Sequence, residues 1–296
     1  MMFPFEHTSS SWVRYSDYVW KANSEGDWYL LPAETAKPMP YDPMKHKEVL
    51  ILDAMEIGRM LFRKLPEEDI KASIRAFACK YGLLGIMTAL PTTANFITYE
   101  KVYFPKNDLI HVEGMETEDY LRLFYPFRMP DFKKQGVESS WEISGDAAEQ
   151  ALVLTYQSKP QAVVMSFMRD YGEPYAWLAS IFKDWAFTLF TTTFYYERQD
   201  APDAETRALY ERGMAAFEDN APTYHLELRD RPTLVWDFHS LLLNIKLLIF
   251  LALIDKDNPM KVCRKCGRPF IADKPANKYC SEDCRRKNNL VTQLQQ

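Results

Sequence analysis

Glycine is scarce in this sequence, with 10 residues among 296, about 3% where globular proteins average about 7%. So few glycines argue against a loop-rich sheet protein and against a phosphate-binding loop built on glycine. Cysteine is also rare: there are five, and four of them lie in the last 34 residues. This distribution excludes a disulfide-stapled scaffold, in which cysteines are spread along a short chain.

Long uncharged apolar runs are missing as well. The run from Tyr175 to Tyr196 carries Lys183 and Asp184 at its centre, and the run from Leu241 to Ile254 has only 14 residues. A membrane-spanning helix needs about 20 predominantly apolar residues, so both runs are interpreted as buried helices of a globular core. The N-terminus lacks the basic and apolar regions of a signal peptide, and we therefore expect a cytoplasmic protein.

Familiar catalytic signatures are absent from the sequence. It contains no G-x-S-x-G, H-E-x-x-H, P-loop or G-x-G-x-x-G motif. The five histidines are scattered, and Asp237 and His239 are two residues apart, a spacing that on a helix points side chains away from each other. We therefore predict that the protein is not an enzyme.

The residues that are present divide the chain into three predicted parts. Residues 1–41 are rich in aromatic residues and proline, which predicts short extended segments packed on the body rather than a long helix. Residues 42–257 show mostly helical patterns, and residues 258–296 carry the clustered cysteines. The predicted fold is mainly α with small β elements: a helical body followed by a C-terminal treble-clef zinc finger.

Local signals mark the ends of several helices in the body. Asp42 and Pro43 form an N-cap followed by proline at the first helical position, and this helix should end at Pro66. Acidic residues then open the next helix, which the pair Tyr81-Gly82 ends. Later helices are predicted over residues 117–124, 174–196, 203–219 and 238–253.

Short strands are predicted between these helices. Residues 98–104 and 109–112 are β-branched and aromatic, which favours extended structure. Residues 224–228 and 233–236 alternate and predict a hairpin, in which Pro232 indicates an edge strand because proline cannot donate to a neighbouring strand.

The most informative stretch is KVCRKCGRPFIADKPANKYCSEDCRRK, residues 261–287. Its cysteines are spaced C-x2-C, thirteen residues, then C-x3-C. In the first pair, Cys263 and Cys266 are followed directly by Gly267. Glycine adopts the positive φ that turns backbone amides toward two converging sulfurs, so this pair predicts a metal-binding knuckle.

The second pair predicts the start of a helix. Cys280 and Cys284 lie one helical turn apart on the same side, with Ser281 as the N-cap and two acids in the first turn. The intervening residues suffice for a short hairpin that returns the chain to the knuckle. Knuckle, hairpin and helix start together predict a treble-clef zinc finger.

Four thiolates leave no open coordination position, which indicates a structural rather than a catalytic site. We predict one zinc ion, bound by Cys263, Cys266, Cys280 and Cys284. A redox switch, two disulfides and bound iron are the alternatives. The fifth cysteine, Cys79, is predicted to be a free buried thiol.

The same stretch resembles the bacterial CGNR-type zinc fingers. The resemblance rests on the pattern C-x2-C-G-x-x-F-x-x-D, then an aromatic residue with Cys-Ser, then a last cysteine before a basic helix. The matching residues are Cys263, Cys266, Gly267, Phe270, Asp273, Tyr279, Cys280, Ser281 and Cys284. The chain departs from that family after Cys284, where Arg285-Arg286-Lys287-Asn288 replaces Gly-Asn-Arg. The resemblance implies a DNA-binding finger at the end of a largely helical domain.

Charge is distributed unevenly between the two parts. Residues 261–296 contain nine lysine and arginine residues and three acids, a net charge of +6, whereas the whole chain is −5 and the remainder is therefore −11. A basic module on an acidic body is expected when only the module meets a polyanion. The predicted nucleic-acid contacts are Arg264, Lys265, Arg268, Arg285, Arg286 and Lys287.

These observations support three hypotheses of different kinds. The first is a regulator that binds DNA or another nucleic acid through the finger, with a body that senses a ligand or dimerises. The second is an interaction or structural protein whose finger docks on the body or on a protein partner. The third is an enzyme whose site lies in the helical body.

Overall fold

The structure is a computed structural model, and helices dominate it, with several small sheets between them. It describes residues 8–9, 12–93, 96–125, 171–197, 203–215, 223–228, 230–237 and 240–294. Within these, the strands are β1 Thr8–Ser9, β2 Trp12–Tyr15, β3 Tyr18–Ala22, β4 Trp28–Pro32, β5 Pro38–Tyr41, β6 Lys101–Tyr103, β7 Gly114–Glu116, β8 Glu173–Pro174, β9 Thr223–Leu228, β10 Pro232–Asp237, β11 Met260–Val262 and β12 Pro269–Ile271. The α-helices are α1 Lys47–Phe62, α2 Glu67–Tyr81, α3 Ile86–Ala89, α4 Thr117–Arg122, α5 Tyr175–Glu197, α6 Ala204–Ala215, α7 Leu241–Ile254 and α8 Glu282–Leu294.

The first two helices begin and end at their sequence signals. The Asp42 carboxylate accepts a hydrogen bond from the Met44 amide at 2.9 Å and caps a short 3-10 turn that leads into α1. α2 begins directly after Pro66 and ends at Gly82, whose φ of +91° lies outside the helical region. A Cβ on Gly82 would stand 2.5 Å from the Val13 carbonyl oxygen, so a larger residue would also separate α2 from the N-terminal strands.

The centre of the body is the contact between α1 and α5. A Cβ on Gly58 of α1 would stand 2.2 Å from the backbone oxygen of Phe182 and 2.4 Å from the Cβ of Ala186. Glycine therefore allows the two helices to approach closely. α5 and α7 correspond to the two apolar runs of the sequence, and no described helix is both long and apolar enough to cross a membrane.

The N-terminal strands pack on α2. The Trp12 indole donates to the Leu83 carbonyl at 3.1 Å, and Arg14 donates to the Cys79 carbonyl at 2.9 Å. Trp12, Tyr15 and Leu30 are buried in the same continuous core as α1, α2, α5 and α7. The division of the chain into three domains stays a prediction.

A buried carboxylate fixes the chain just after α2. Glu173 on β8 accepts hydrogen bonds from the amides of Leu84 and Ile86 at 2.8 and 2.9 Å, and from the Tyr171 hydroxyl at 2.8 Å. Burial raises the pKa of Glu173, and these hydrogen bonds oppose the rise. The Leu242 amide donates to the Leu84 carbonyl at 2.7 Å, so the same segment also positions the start of α7.

The predicted later helices are confirmed as α4, α5, α6 and α7, with ends that differ by a few residues. The last residues of the predicted helix over 203–219, from 216 onward, and the first two of the predicted helix over 238–253 lie outside the described residues. The strand predicted over 109–112 is wrong. The Asn107 side chain accepts hydrogen bonds from the amides of Leu109 and Ile110 at 2.9 and 2.7 Å, which holds this segment in a turn. β6 pairs instead with β7.

The hairpin of β9 and β10 is confirmed, but the edge position of the proline-bearing strand is wrong. β10 lies between β1 and β9. Pro232 is the first residue of β10, and β1 pairs only with Trp236 and Asp237 at the other end of that strand. β1 therefore does not reach Pro232, whose partner in the sheet is Leu228 of β9.

Candidate metal centre

The first cysteine pair lies at the turn of a short hairpin. β11 and β12 are antiparallel, and their last pair, Val262 with Pro269, directly flanks the knuckle. The Cys263 amide donates to the Arg268 carbonyl at 2.8 Å, and the Gly267 amide donates to the Cys263 carbonyl at 2.9 Å. Gly267 has a φ of +70°, which confirms the predicted role of this glycine.

The second cysteine pair lies at the start of α8. The Ser281 hydroxyl accepts a hydrogen bond from the Cys284 amide at 3.2 Å, as predicted for an N-cap. Glu282 and Asp283 occupy the first turn, where the positive end of the helix dipole favours acids.

The position of the hairpin differs from the prediction. We expected it between Cys266 and Cys280, whereas its strands flank the knuckle and the described residues 272–279 contain no strand. Pro275 has no backbone donor, and the Asn277 amide donates to the Lys274 carbonyl at 2.9 Å in a turn. The Arg264 amide donates to the Lys278 carbonyl at 3.0 Å, and this bond returns the chain to the knuckle.

The four cysteine sulfurs converge. All four Sγ atoms lie within 4.8 Å of one another. The Cys266 and Cys280 sulfurs are 3.6 Å apart, and those of Cys280 and Cys284 are 3.7 Å apart. A tetrahedral zinc ion with bonds of about 2.3 Å sets its sulfurs about 3.8 Å apart, so the donor set fits zinc. The same distances exceed the ~2.05 Å of a disulfide bond, and all five cysteines are free.

Backbone amides stabilise the ionised form of one cysteine in the cluster, which favours the binding of a cation. Burial raises the pKa of the Cys263 thiol, but hydrogen bonds from the amides of Cys266, Cys280 and Lys265 outweigh it and lower the pKa to about 6. Burial and the neighbouring cysteines raise the pKa of Cys280 to about 12. The Cys263 thiol therefore loses its proton readily, whereas the Cys280 thiol needs a nearby cation to do so.

The hairpin has two different faces. Phe270 and Tyr279 pack with the cysteines in a small cluster whose buried members also include Ala272. On the other face, Met260 is 3% exposed and belongs to the main core. Val262 and Ile271 pack against the same core, where the hairpin contacts α1, α5 and α7. The C-terminal segment that carries the four cysteines, residues 258–294, is called the finger below. It is docked on the body through residues that alternate with those facing the cysteines.

Arg59 of α1 is a charged residue near the cluster that the sequence did not predict. Its hydrogen bonds to Glu56 raise the pKa of the guanidinium, and the charge of Cys266 adds to this effect. The Arg59 side chain is mostly buried, with its Nε 2.7 Å from a Glu56 oxygen. Arg59 of the body is therefore near enough for its charge to interact with that of Cys266, although it is also paired with Glu56. Its sequence position, some 200 residues upstream, gives no signal of this interaction.

The six predicted nucleic-acid contacts are all exposed: Arg264, Lys265, Arg268, Arg285, Arg286 and Lys287. Two of them are paired within α8. Arg285 lies 3.3 Å from Glu282, and Lys287 lies 2.8 Å from Asp283. These are exposed pairs of the kind that contributes little stability and exchanges readily with other ions.

Cys79 lies apart from the cluster. Its thiol is partly buried beside Asp17, with the sulfur 3.8 Å from a carboxylate oxygen. Burial raises the pKa of this thiol. It is a free thiol, as predicted, but it is only partly buried.

Comparisons of the chain with protein-family models, with curated proteins and with solved structures found no match. No family model therefore confirms the resemblance to CGNR-type fingers, and the structure supports it only as far as the cluster of four cysteines. The four cysteines form a site resembling a zinc finger, placed to bind a metal ion.

Proposed function

We propose that residues 258–296 form a treble-clef zinc finger that binds the backbone of a nucleic acid through its outer face. The inner face of the hairpin is docked on the body through Met260, so only the opposite side of the finger is available to a partner. The observation that carries the proposal is the exposure of all six residues predicted to contact nucleic acid.

Charge supports a polyanionic partner. The module is +6 within a chain of net charge −5. Zinc with four thiolates contributes about −2, so the loaded module keeps a net charge of about +4. Lys274 and Lys278 are exposed as well and extend the basic surface. Lysine and arginine contacts to phosphates release condensed counterions, which is the main source of affinity that does not depend on base sequence.

The aromatic residues of the finger favour a duplex over a single strand. Proteins that bind single strands stack bases on exposed aromatic rings. Residues 258–296 contain only two aromatic residues, Phe270 and Tyr279. Both pack with the cysteines. Phe270 is buried and Tyr279 is only partly exposed, so the finger offers charge to phosphates but little ring surface to unstacked bases.

The body would supply regulation. β11 and β12 contact α1, α5 and α7, the helices that form the centre of the body. A ligand or a second copy that moved these helices would also move the finger. This contact supports a regulator rather than an enzyme, and no catalytic residue is assigned.

Salt-dependent binding of the full-length, zinc-loaded protein to a DNA duplex tests the proposal. With three to five phosphate contacts, affinity should fall on the order of a hundredfold or more between about 50 and about 200 mM salt. Replacing Arg285, Arg286 and Lys287 together by Ala should flatten the slope by about 0.9 per lost contact without releasing zinc. Replacing Arg264, Lys265 and Arg268 by Ala should act in the same way.

The matched control replaces three exposed lysines of the body by Ala, Lys21, Lys80 and Lys101, which removes the same charge elsewhere. This variant should keep the slope of the parent. Binding of neither duplex nor single strand at low salt would contradict the proposal, as would equal slopes for all variants.

The second candidate is a structural or protein-docking finger. It is favoured by the burial of Met260 and by the packing of Val262 and Ile271 on the core of the body. Under this alternative, loss of zinc would destabilise the body, and the basic variants would change neither stability nor nucleic-acid binding.

A further inference from the structure

An aromatic cage lies on the body, away from the finger. The ammonium of Lys71 stands 4.2 Å from the centre of the Trp28 ring, 5.0 Å from that of Tyr175 and 6.0 Å from that of Trp20. A carboxylate oxygen of Glu67 lies 2.6 Å from the same nitrogen. Three rings and one carboxylate therefore surround a single positive charge.

The walls of the cage come from four elements that are distant in the sequence. Trp20 is on β3, Trp28 on β4, Tyr175 at the start of α5, and Glu67 with Lys71 on α2. An ammonium ion close to the faces of several aromatic rings is stabilised by their negative electrostatic potential. Such cages recognise quaternary ammonium groups, which are weakly hydrated and need no hydrogen-bond acceptor.

Two walls of the cage do not depend on the Lys71 ammonium for their positions. The Trp20 indole donates to the backbone carbonyl of Lys71 at 3.1 Å, and the Trp20 and Tyr175 rings pack edge to face with centres 5.6 Å apart. The backbone of Trp28 is held opposite Ala22 in the antiparallel pair of β3 and β4. Trp20 and Tyr175 would therefore remain in place if the lysine side chain moved.

The cage is open on one side. Trp28 is 42% exposed, and the Glu67 side chain is 58% exposed, whereas the Lys71 side chain is only 15% exposed. The lysine has a flexible stem with four methylene groups, so its amine can turn toward the open side of the cage while its backbone stays in α2. The ring faces would then be accessible to another cation.

We propose that Trp20, Trp28, Tyr175 and Glu67 form a binding site for a small quaternary ammonium ion, in which Lys71 is the internal competitor. The ligand class is a trimethylammonium compound, because methyl groups on the cation fill the contact with three rings that a primary amine leaves incomplete. Lys71 marks the position of the positive charge, and Glu67 supplies the counter-charge. This site is independent of the zinc finger and of nucleic-acid binding.

The test is a titration of the full-length protein with choline, followed through the indole N–H signals of Trp20 and Trp28 in NMR spectra. The control ligand is 3,3-dimethylbutan-1-ol, which has the shape of choline but no charge. We expect both indole signals to shift with choline and not with the neutral alcohol, at matched ionic strength. Equal responses to both compounds, or none to choline, would overturn the proposal.

Variants separate a ligand site from a fixed internal contact. Lys71→Gln removes the competing charge and should tighten choline binding by about tenfold, since a cation–π contact of this kind has that order of strength. The matched control is Lys80→Gln, because Lys80 lies 5.0 Å from the Tyr81 ring and pairs with Asp53. It should leave choline binding unchanged.

The walls are tested by Trp28→Leu, which should abolish the response at the Trp20 signal. If that variant does not fold, Trp28→Phe keeps an aromatic side chain and should weaken choline binding severalfold. Binding by Lys71→Gln but not by the parent protein would overturn the proposal, because Lys71 would then be a permanent occupant. Unchanged choline affinity in the folded Trp28 variant would also overturn it.

Discussion

The helical body and the finger are stabilised by different means. The body has one continuous apolar core that joins the N-terminal strands to α1, α2, α5 and α7. Among its described side chains, the cluster around the cysteines of the finger buries Cys263, Phe270 and Ala272. A cluster of that size cannot offset the loss of chain entropy of some thirty residues. The finger therefore requires a metal and its contact with the body, whereas the body does not require the metal to the same degree.

Loss of zinc should have the largest effect. Structural zinc contributes about 10–16 kcal/mol of apparent binding free energy in small fingers, so chelation or Cys280→Ser should unfold residues 260–294. In NMR spectra, the signals of these residues should collapse while those of the body stay dispersed.

The matched control is Cys79→Ser, which removes the cysteine that lies apart from the cluster. It should leave both parts folded. A finger that keeps its dispersed signals in Cys280→Ser would contradict a metal-dependent fold.

Shortening a side chain at the contact between the body and the finger should have the next largest effect. Met260 is buried in the core of the body, and Met260→Ala should cost about 2–5 kcal/mol in the free energy of unfolding. Zinc content should stay at the parent value because Met260 is not a ligand. Ile254→Ala, at a side chain that is 54% exposed, is the matched truncation and should cost less than about 1 kcal/mol. Equal costs for both variants, measured by chemical denaturation, would show that the finger is not docked.

Two glycines sharpen the comparison further. Gly58→Ala would drive a Cβ into the backbone of α5, and we expect a loss of about 3 kcal/mol in the free energy of unfolding of the body. Gly267→Ala meets no atom within 4 Å but must keep a positive φ, so its cost is about 1–2 kcal/mol of backbone strain. That cost should appear in the zinc affinity and leave the melting of the body unchanged. If Gly58→Ala lowered only the zinc affinity and Gly267→Ala lowered only the stability of the body, the account of both positions would be contradicted.

Proton release on zinc binding should show the smallest effect. Cysteine binds zinc as the thiolate, so zinc affinity falls as the pH falls. The pKa of Cys263 is lowered to about 6, below the ordinary ~8.5 of a thiol. This lowered pKa belongs to the folded finger: it stabilises that fold above about pH 8.5, and the contribution is lost as the pH falls through 6.

In the metal-free finger, which we expect to be unfolded, every thiol has the ordinary pKa of about 8.5 and is protonated at both pH 7 and pH 5. We therefore expect the same number of protons released per zinc at both pH values, measured with a pH indicator in weak buffer. About one proton fewer at pH 7 than at pH 5 would contradict unfolding, because Cys263 of a folded metal-free finger, with its pKa of about 6, would already have lost its proton.

Local signals were enough to predict several features. Asp42, Gly82 and Ser281 act on their own neighbours in the chain, and each marks a helix end as expected. The convergence of the four sulfurs also follows from short spacings, because a knuckle and a helix turn each bring one pair together. The alternating faces of β12 then place Phe270 toward the cysteines and Ile271 toward the body.

Features that depend on distant residues could not be predicted. Pro232 suggested an edge strand, but the order of that sheet is set by Thr8 and Ser9 near the other end of the chain. Leu109 has strand character, but the side chain of Asn107 competes for its amide. Arg59 and the aromatic cage each join elements far apart in sequence, and nothing in either segment alone indicates the contact.

The zinc content of the purified full-length protein tests the central claim most directly. Four converging thiolates predict one equivalent of tightly held zinc in protein prepared without chelator. Cys263→Ser and Cys284→Ser should each lower the content well below one equivalent, while Cys79→Ser keeps it. A parent protein that contains no zinc and does not take it up, yet keeps residues 260–294 folded, would contradict the account.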